Sequence, residues 1–333
     1  MAILVTGAAG FIGFHTSRQL LACGEQVIGI DNLNPYYDPR LKQARVAALQ
    51  DEFGSAFTFN RVDFADASAL DAAVQGADLD RIVHLGAQVG VRYSLEDPAA
   101  YVRANLVGHA NLLELARSRQ SAHMVYASSS SVYGGNTQLP FRVEDRADRP
   151  MSLYAATKKA DELMSESYSS LFRLPLTGLR FFTVYGPWGR PDMAIWMFTK
   201  AILEGEAVNL FNHGKMRRDF TYIDDIVSGV ITCLDSPPRN NGQEKAGGSL
   251  ASHAIYNIGN NCSEELRTVV RLLEEALGRT ALIELQPMQP GDVPDTFADI
   301  SAMRRDHEFE PQTPISEGIP RFVEWYRDYH GIN

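Results

Sequence analysis

The chain is short of cysteine, short of basic residues relative to acidic ones and without a long apolar run, and each shortage removes a class of protein. Cys23, Cys233 and Cys262 are odd in number and form no C-x-x-C pair, so a disulfide framework is not expected and a reducing compartment fits. Lysine and arginine total 31 against 41 acidic residues, a net charge of −10, which argues against nucleic acid and anionic membrane as main partners. No stretch approaches the roughly 20 apolar residues that span a bilayer, and MAILVTGAAG lacks the cationic segment of a secretory leader. The expectation is a cytoplasmic protein. No H-x-x-H or Cys/His spacing suggests a metal. His84, His109 and His123 stand isolated in or beside packed elements and read as structural.

What is present is enough apolar residue, 45% of 333 positions, for a sizeable core in two lobes. Up to about residue 180 short β-branched runs alternate with longer helical patterns. AILVT (2–6), QVIGI (26–30), RIVHL (81–85), HMVYAS (123–128) and LTGLRF (176–181) read as buried parallel strands. FHTSRQLLACG, PRLKQARVAALQ, AYVRANLVGHANLLELARS and SLYAATKKADELMSESYSSLF read as the helices between them. This alternation predicts an α/β fold: a Rossmann-type, doubly wound parallel sheet with right-handed crossovers. After residue 181 the pattern loosens into loops and short helices, the mark of a smaller C-terminal α/β lobe for substrate. The division expected is 1–180, with 224–260 returning to it through DDIVSGVITCLDS and HAIYNIGN, and 181–333.

VTGAAGFIG places Gly7, Gly10 and Gly13 between the first strand and a helix. Glycine permits a tight turn and close backbone approach to a phosphate, and the helix start offers free N–H groups and a positive dipole end. Asp31 ends the second strand, where a carboxylate accepts hydrogen bonds from a ribose and repels a 2′-phosphate, so NAD is favoured over NADP. Asp63, in RVDFAD, is a candidate for the adenine edge, or a solvated turn residue. In SLYAATKKADEL, Tyr154 and Lys158 are four apart and share one helix face. A phenol is a poor base at neutral pH until a neighbouring ammonium favours its anion. SSSS (128–131) supplies hydroxyls at a strand end.

TGAAGFIG, ASSSSVYG and YAATK together resemble the extended short-chain dehydrogenase/reductase family of nucleotide-sugar enzymes. Within it, AQVGVRYS (87–94), PWGRPDMA (187–194), RRDFTYIDD (217–225) and MQPGDVPDTFAD (288–299) are similar to the UDP-glucuronate 4-epimerases, over essentially the whole chain. The resemblance implies tightly bound NAD, regenerated each cycle, and UDP-glucuronate and UDP-galacturonate as ligands. It also implies a homodimer, with helices 99–118 and 153–172 expected to pair. Tyr154 would be the base, Lys158 its electrostatic partner and Ser129 the hydroxyl that meets the sugar 4-OH. Phe11, Ile12, Asn32, Phe64, Leu85, Ala87 and Asn105 would join the glycines, Asp31 and Asp63 around NAD. Ser130, Ser131, Thr183, Arg218, Gln289 and Asp292 would surround the UDP-sugar, with Arg218 at the pyrophosphate and Asp292 at the uridine ribose. Gln289 stands where related epimerases of neutral sugars often carry arginine. Gly86 stands where alanine is common, a change expected to matter little.

A dehydratase of this family has Asp and Glu just before VYG, where this chain has Ser130 and Ser131, so elimination is not expected. Oxidising C4 of UDP-glucuronate puts a ketone β to the C6 carboxylate, and CO₂ is then easily lost. In RFFTVYGPWGRPDMA, Arg190 is assigned to hold that carboxylate in an unreactive orientation, since a guanidinium fixes the plane as well as the charge of an acid. The competing readings are stacking on Trp188 or pairing with Asp192. Arg92 is a second sugar or phosphate candidate, or a structural ion pair. Trp325, Tyr326 and Tyr329 read as packing. The expected reaction is C4 epimerisation without decarboxylation. UDP-glucose/galactose 4-epimerase, UDP-glucuronate decarboxylase and a non-catalytic NAD sensor are the alternatives; a sensor would have little use for the Tyr–Lys pair.

Overall fold

A computed structural model of the chain describes residues 1–288 and 293–332. In chain order its strands are β1 (Ala2–Thr6), β2 (Gln26–Asp31), β3 (Phe57–Arg61), β4 (Leu79–His84), β5 (His123–Ser129), β6 (Leu176–Phe181), β7 (Thr183–Tyr185), β8 (Ala207–Leu210), β9 (Arg217–Tyr222), β10 (His253–Ile258), β11 (Ser263–Glu265) and β12 (Leu282–Leu285). Seven of them form one parallel sheet in the order β10-β6-β5-β4-β1-β2-β3. The runs are apolar on both faces because both faces are covered. Ile3, Val5, Val83 and Val125 pack into one apolar cluster, and Leu4, Ile30, Ile82 and Met124 into the other. The chain is therefore doubly wound, and the order reverses beside β1.

Local sequence sets the helix starts. α1 (Phe11–Ala22) follows the glycine turn. α2 (Pro39–Phe53) begins on Asp38, whose carboxylate accepts from Arg40 N, with proline in the first turn. The helix Leu153–Phe172 begins on Ser152, which accepts from Ala155 N at 3.1 Å. One helix departs from the sequence reading. Residues 98–118 are not continuous α-helix: a π-helical segment, Val102–Val107, separates Pro98–Tyr101 from Gly108–Ser118. The wider turn carries Asn105, whose amide reaches Gln88 O at 3.1 Å and Thr157 Oγ1 at 3.0 Å.

Beyond β6 the chain is more strand-rich than its pattern suggests. β9 lies between β11 and β7, and β12 pairs with β8. These strands run three to six residues, too short for alternation to stand out. The helix Ile315–His330 closes over this part and packs Trp325 and Tyr329 against Trp188, with ring centroids 5.4 and 5.5 Å away. No helix among the described residues is long and apolar enough to cross a membrane.

Candidate active site

Thr6, Asp31, His84, Ser129 and Phe181 are the last residues of their strands. Past them, at the carboxyl edge of the sheet, lies a cavity of about 710 Å³. Gly7, Gly10 and Gly13 line its floor together with Phe11 and Ile12. Gly7 has φ +69°, and a Cβ there would lie 2.7 Å from Gly86 N; a Cβ on Gly13 would lie 2.0 Å from Gly7 O. Only glycine fits these two positions. No side chain caps α1 at Gly10 and its first turn carries no acid, so the turn is a cradle for an anion, as a dinucleotide's diphosphate requires.

Asp31 lines the same cavity, its Oδ1 accepting from Leu33 N at 2.8 Å; burial pushes its carboxyl up, with the Lys42 ammonium opposing. Lys42 Nζ is buried against Asn34, 2.9 Å from its carbonyl and 2.7 Å from Oδ1. Asn32, Asp63, Phe64, Leu85 and Ala87 also line the cavity. Asp63 is engaged by Ala65 N at 3.0 Å and Arg103 at 3.1 Å. Asn105 is buried beside the cavity-lining Ala104 and Gln88 and ties the loop at Gln88 to the helix at Thr157. One sequence expectation changes. Gly86 is not a neutral departure, because a Cβ there would lie 2.5 Å from the Phe64 ring.

Ser129, Tyr154 and Lys158 all line the cavity. Lys158 is buried, its ammonium 3.0 Å from Ala127 O and 3.0 Å from Asp161 Oδ2. Burial pushes Asp161 up to about 6 against the pull of Lys158. The next residue shifts oppositely. Burial again raises Glu162, but Arg180 at 2.8 and 3.0 Å, Lys159 at 2.9 Å and Ser128 at 2.6 Å hold it down to about 2. Thr157 donates to Tyr154 O at 2.8 Å, and the Tyr154 ring meets Tyr101 edge-on at 6.1 Å. Ser129 Oγ accepts from Ser131 N at 3.2 Å, with Ser130 and Ser131 on the cavity wall.

Thr183, Arg92, Arg190 and Arg218 line the opposite wall. Arg190 is paired with Asp192, Nε to Oδ1 at 3.0 Å and Nη2 to Oδ2 at 2.5 Å. That is one of the competing readings; the other is not seen, since Trp188 packs on Phe14, Trp325 and Tyr329. Asp192 also accepts from Tyr36 OH at 3.1 Å, and burial with the Asp192 charge pushes that phenol up to about 12. Arg92 lies over the Phe211 ring at 5.4 Å. Arg218 donates to Arg217 O at 2.8 Å and to Pro294 O at 3.3 Å. Gln289 and Asp292 lie outside the described residues. Sequence reasoning missed Tyr36, Lys42, Asp192 and Met193 on the lining. Only Lys42 left a signal, as a cation on a helix that opens soon after Asp31.

Residues 3–259 match the NAD dependent epimerase/dehydratase family. A Rhizobium meliloti protein named as a probable UDP-glucuronate 4-epimerase is 48% identical, over 98% of this chain and 97% of its own length. UDP-glucuronate 4-epimerase 4 of Arabidopsis thaliana is 45% identical, over 99% of this chain and 76% of its own. Among solved structures, UDP-glucuronic acid 4-epimerase from Bacillus cereus, in complex with UDP-glucuronic acid and NAD, is 33% identical. It aligns with a TM-score of 0.87, covering 99% of this chain and 100% of that one.

Proposed function

This chain belongs to the NAD dependent epimerase/dehydratase family, and from that premise we propose that it interconverts UDP-glucuronate and UDP-galacturonate by inverting C4 while keeping C6. It is an isomerase that uses NAD. The observation that carries this reading is that one cavity joins the glycine turn, the Tyr154–Lys158 pair and Arg190. A neutral sugar would offer no acid to the end of the Arg190 guanidinium that Asp192 leaves open.

NAD, when bound, supplies the acceptor and later the donor of the C4 hydride. The glycine turn and Asp31 would hold it, with Phe64, Leu85 and Ala87 lining the same cavity. Ser129 orients the sugar 4-OH, and Tyr154 takes its proton as the 4-keto sugar forms. Lys158 favours the proton-accepting oxygen electrostatically. The keto sugar then turns about its diphosphate linkage, anchored by Arg218, and Tyr154 returns the proton on the other face. Throughout, Arg190 fixes the C6 carboxylate so that the C5–C6 bond stays out of line with the C4 carbonyl π system. Asp192 engages Nε and one Nη of the guanidinium, and the substrate acid meets its end. We assign residues 1–180 with 224–260 to the cofactor lobe and 181–333 to the sugar lobe. The partner in solution is a second copy: Val102, Val107, Leu163, Leu171 and Phe172 are exposed apolar side chains on the segments 98–118 and 153–172.

The test is incubation of the purified protein with UDP-glucuronate, UDP-glucose and UDP-xylose separately, without added NAD, with products identified by mass and NMR. Conversion to the C4 epimer is expected from the first alone, as UDP-galacturonate, or far faster from the first than conversion of UDP-glucose to UDP-galactose or of UDP-xylose to its 4-epimer. An unchanged UDP-glucuronate sample ends the reading.

A further inference from the structure

The loop that carries Arg190 is gripped from outside the cavity through its backbone carbonyls. His15, on α1, donates from Nε2 to Pro187 O at 2.9 Å; burial pushes its imidazole down to about 4, so at neutral pH the ring is uncharged. Arg45, on α2, donates from Nη2 to Trp188 O at 2.6 Å and Gly189 O at 3.0 Å. From Nη1 it donates to Ala9 O at 2.9 Å and Tyr37 OH at 2.8 Å. Three consecutive carbonyls, those of residues 187, 188 and 189, are thus held by the two helices that flank the phosphate turn, and the next residue is Arg190. Ala9 lies inside that turn.

Arg45 is fully buried, its hydrogen-bond partners among the described residues are carbonyls and a phenol rather than a carboxylate, and its Nε has no partner. Burying a cation that no carboxylate hydrogen-bonds, with the Asp31 charge acting on it only through space, is costly, and apolar residues fill space better. What a planar fork adds is a fixed spacing between two pieces of chain. Trp188 adopts φ +60°, a conformation unfavourable for a bulky residue, and the bonds on either side of its carbonyl help to keep it there.

We propose that Arg45 is a positioning residue that locks the phosphate turn and the Arg190 loop into one piece, so that restraint of the substrate carboxylate depends on a side chain outside the cavity lining. This rests on Arg190 being the carboxylate's holder. If the loop shifts, the 4-keto uronate's C5–C6 bond aligns with the carbonyl. That bond breaks, its electron pair passes into the C4 carbonyl as an enolate, CO₂ leaves, and C5 takes up a proton to give a UDP-4-keto-pentose; return of the hydride earlier taken from C4 reduces that ketone to a UDP-pentose.

Arg45→Lys keeps the charge but offers a single donor head. Wild type and variant are incubated with UDP-glucuronate, bound NAD is measured on the same samples to count loaded sites, and UDP-galacturonate is separated by mass from the products lacking C6, the 4-keto-pentose and the UDP-pentose. The expected result is a fraction of turnovers losing C6 that rises about tenfold in the variant, through a lower kcat for epimerisation. In an Arg190→Ala background the same substitution should add nothing to that fraction, since Arg45 acts through Arg190. An unchanged fraction, or a full additional increase in that background, overturns the proposal. Should Arg45→Lys fail to fold, His15→Gln loosens the same loop at Pro187 and must raise the fraction; no rise there overturns it equally. A wild-type protein that makes no UDP-galacturonate would sink the assigned function instead, before any variant is compared.

Discussion

The two walls of the cavity are made in different ways. Ser129, Tyr154 and Lys158 stand on β5 and on the 20-residue helix Leu153–Phe172, whose inner face is anchored by the buried Glu162–Arg180 pair and, through Arg180, by Tyr133 OH at 2.9 Å. Arg190 stands on an irregular loop and Arg218 on a short strand, held in place by side chains of distant elements. Proton transfer tolerates little error in distance, and regular backbone supplies that precision. Reading an acid on a sugar needs a charged group of the right reach, which a braced loop can supply. On the proposed function, chemistry sits on the scaffold and selection on its attachments.

The sharpest way to break this division is Tyr154→Phe. If the sheet wall carries the chemistry, turnover falls on the order of 10²–10⁴-fold, with the NAD content of the purified protein unchanged. Retention of a tenth of the rate would move the base elsewhere. Next in size is the anchor behind that wall. Glu162→Ala leaves Arg180 buried without its carboxylate and should lower stability by about 3–5 kcal/mol in urea unfolding, an effect no loop-wall substitution should match. Arg190→Ala tests the other wall: UDP-glucuronate turnover should drop roughly 10–100-fold, the worth of a charge-assisted pair, while bound NAD stays. Equal loss of NAD and turnover would show that the walls are not separable.

The smallest effect is in pH. Asp161 has its carboxyl raised to about 6, so its contribution to stability is fully present below about 4 and is lost as pH rises through 6. Asp161→Asn should therefore gain on the wild type across that window, by about 2 kcal/mol, read from urea midpoints at pH 4 and 7. Glu162, held to about 2, works the other way, its stabilisation present above about 4.5 and lost only as pH falls toward 2. The two neighbours differ because Glu162 meets two cations and a hydroxyl, whereas one oxygen of Asp161 is buried without a hydrogen-bond partner among the described residues.

The sheet wall was legible because its signals are local. A strand, three glycines and a helix follow one another, and Tyr154 and Lys158 reach one cavity through helical spacing alone. The loop wall was legible only as a resemblance, and its geometry not at all. That Arg190 would turn onto Asp192 depends on the backbone at Trp188, which depends on Arg45 and His15, more than a hundred residues earlier in the chain. Lys42 and Tyr36 reach the cavity through the path of the segment after β2, which no periodicity encodes. Asn105 is expected on the cofactor side by resemblance alone; its bonds to Gln88 and Thr157, which the π-helical segment makes possible, leave no mark in the sequence.

Trp188 packs on Phe14 near one end of the sequence and on Trp325 and Tyr329 near the other. The loop that bears Arg190 is thus clasped between the first helix and the last. On the proposed function, removing the chain from residue 315 onward would take away half of that clasp while leaving the glycine turn whole, and with it the fixed reach of the side chain assigned to the sugar's acid.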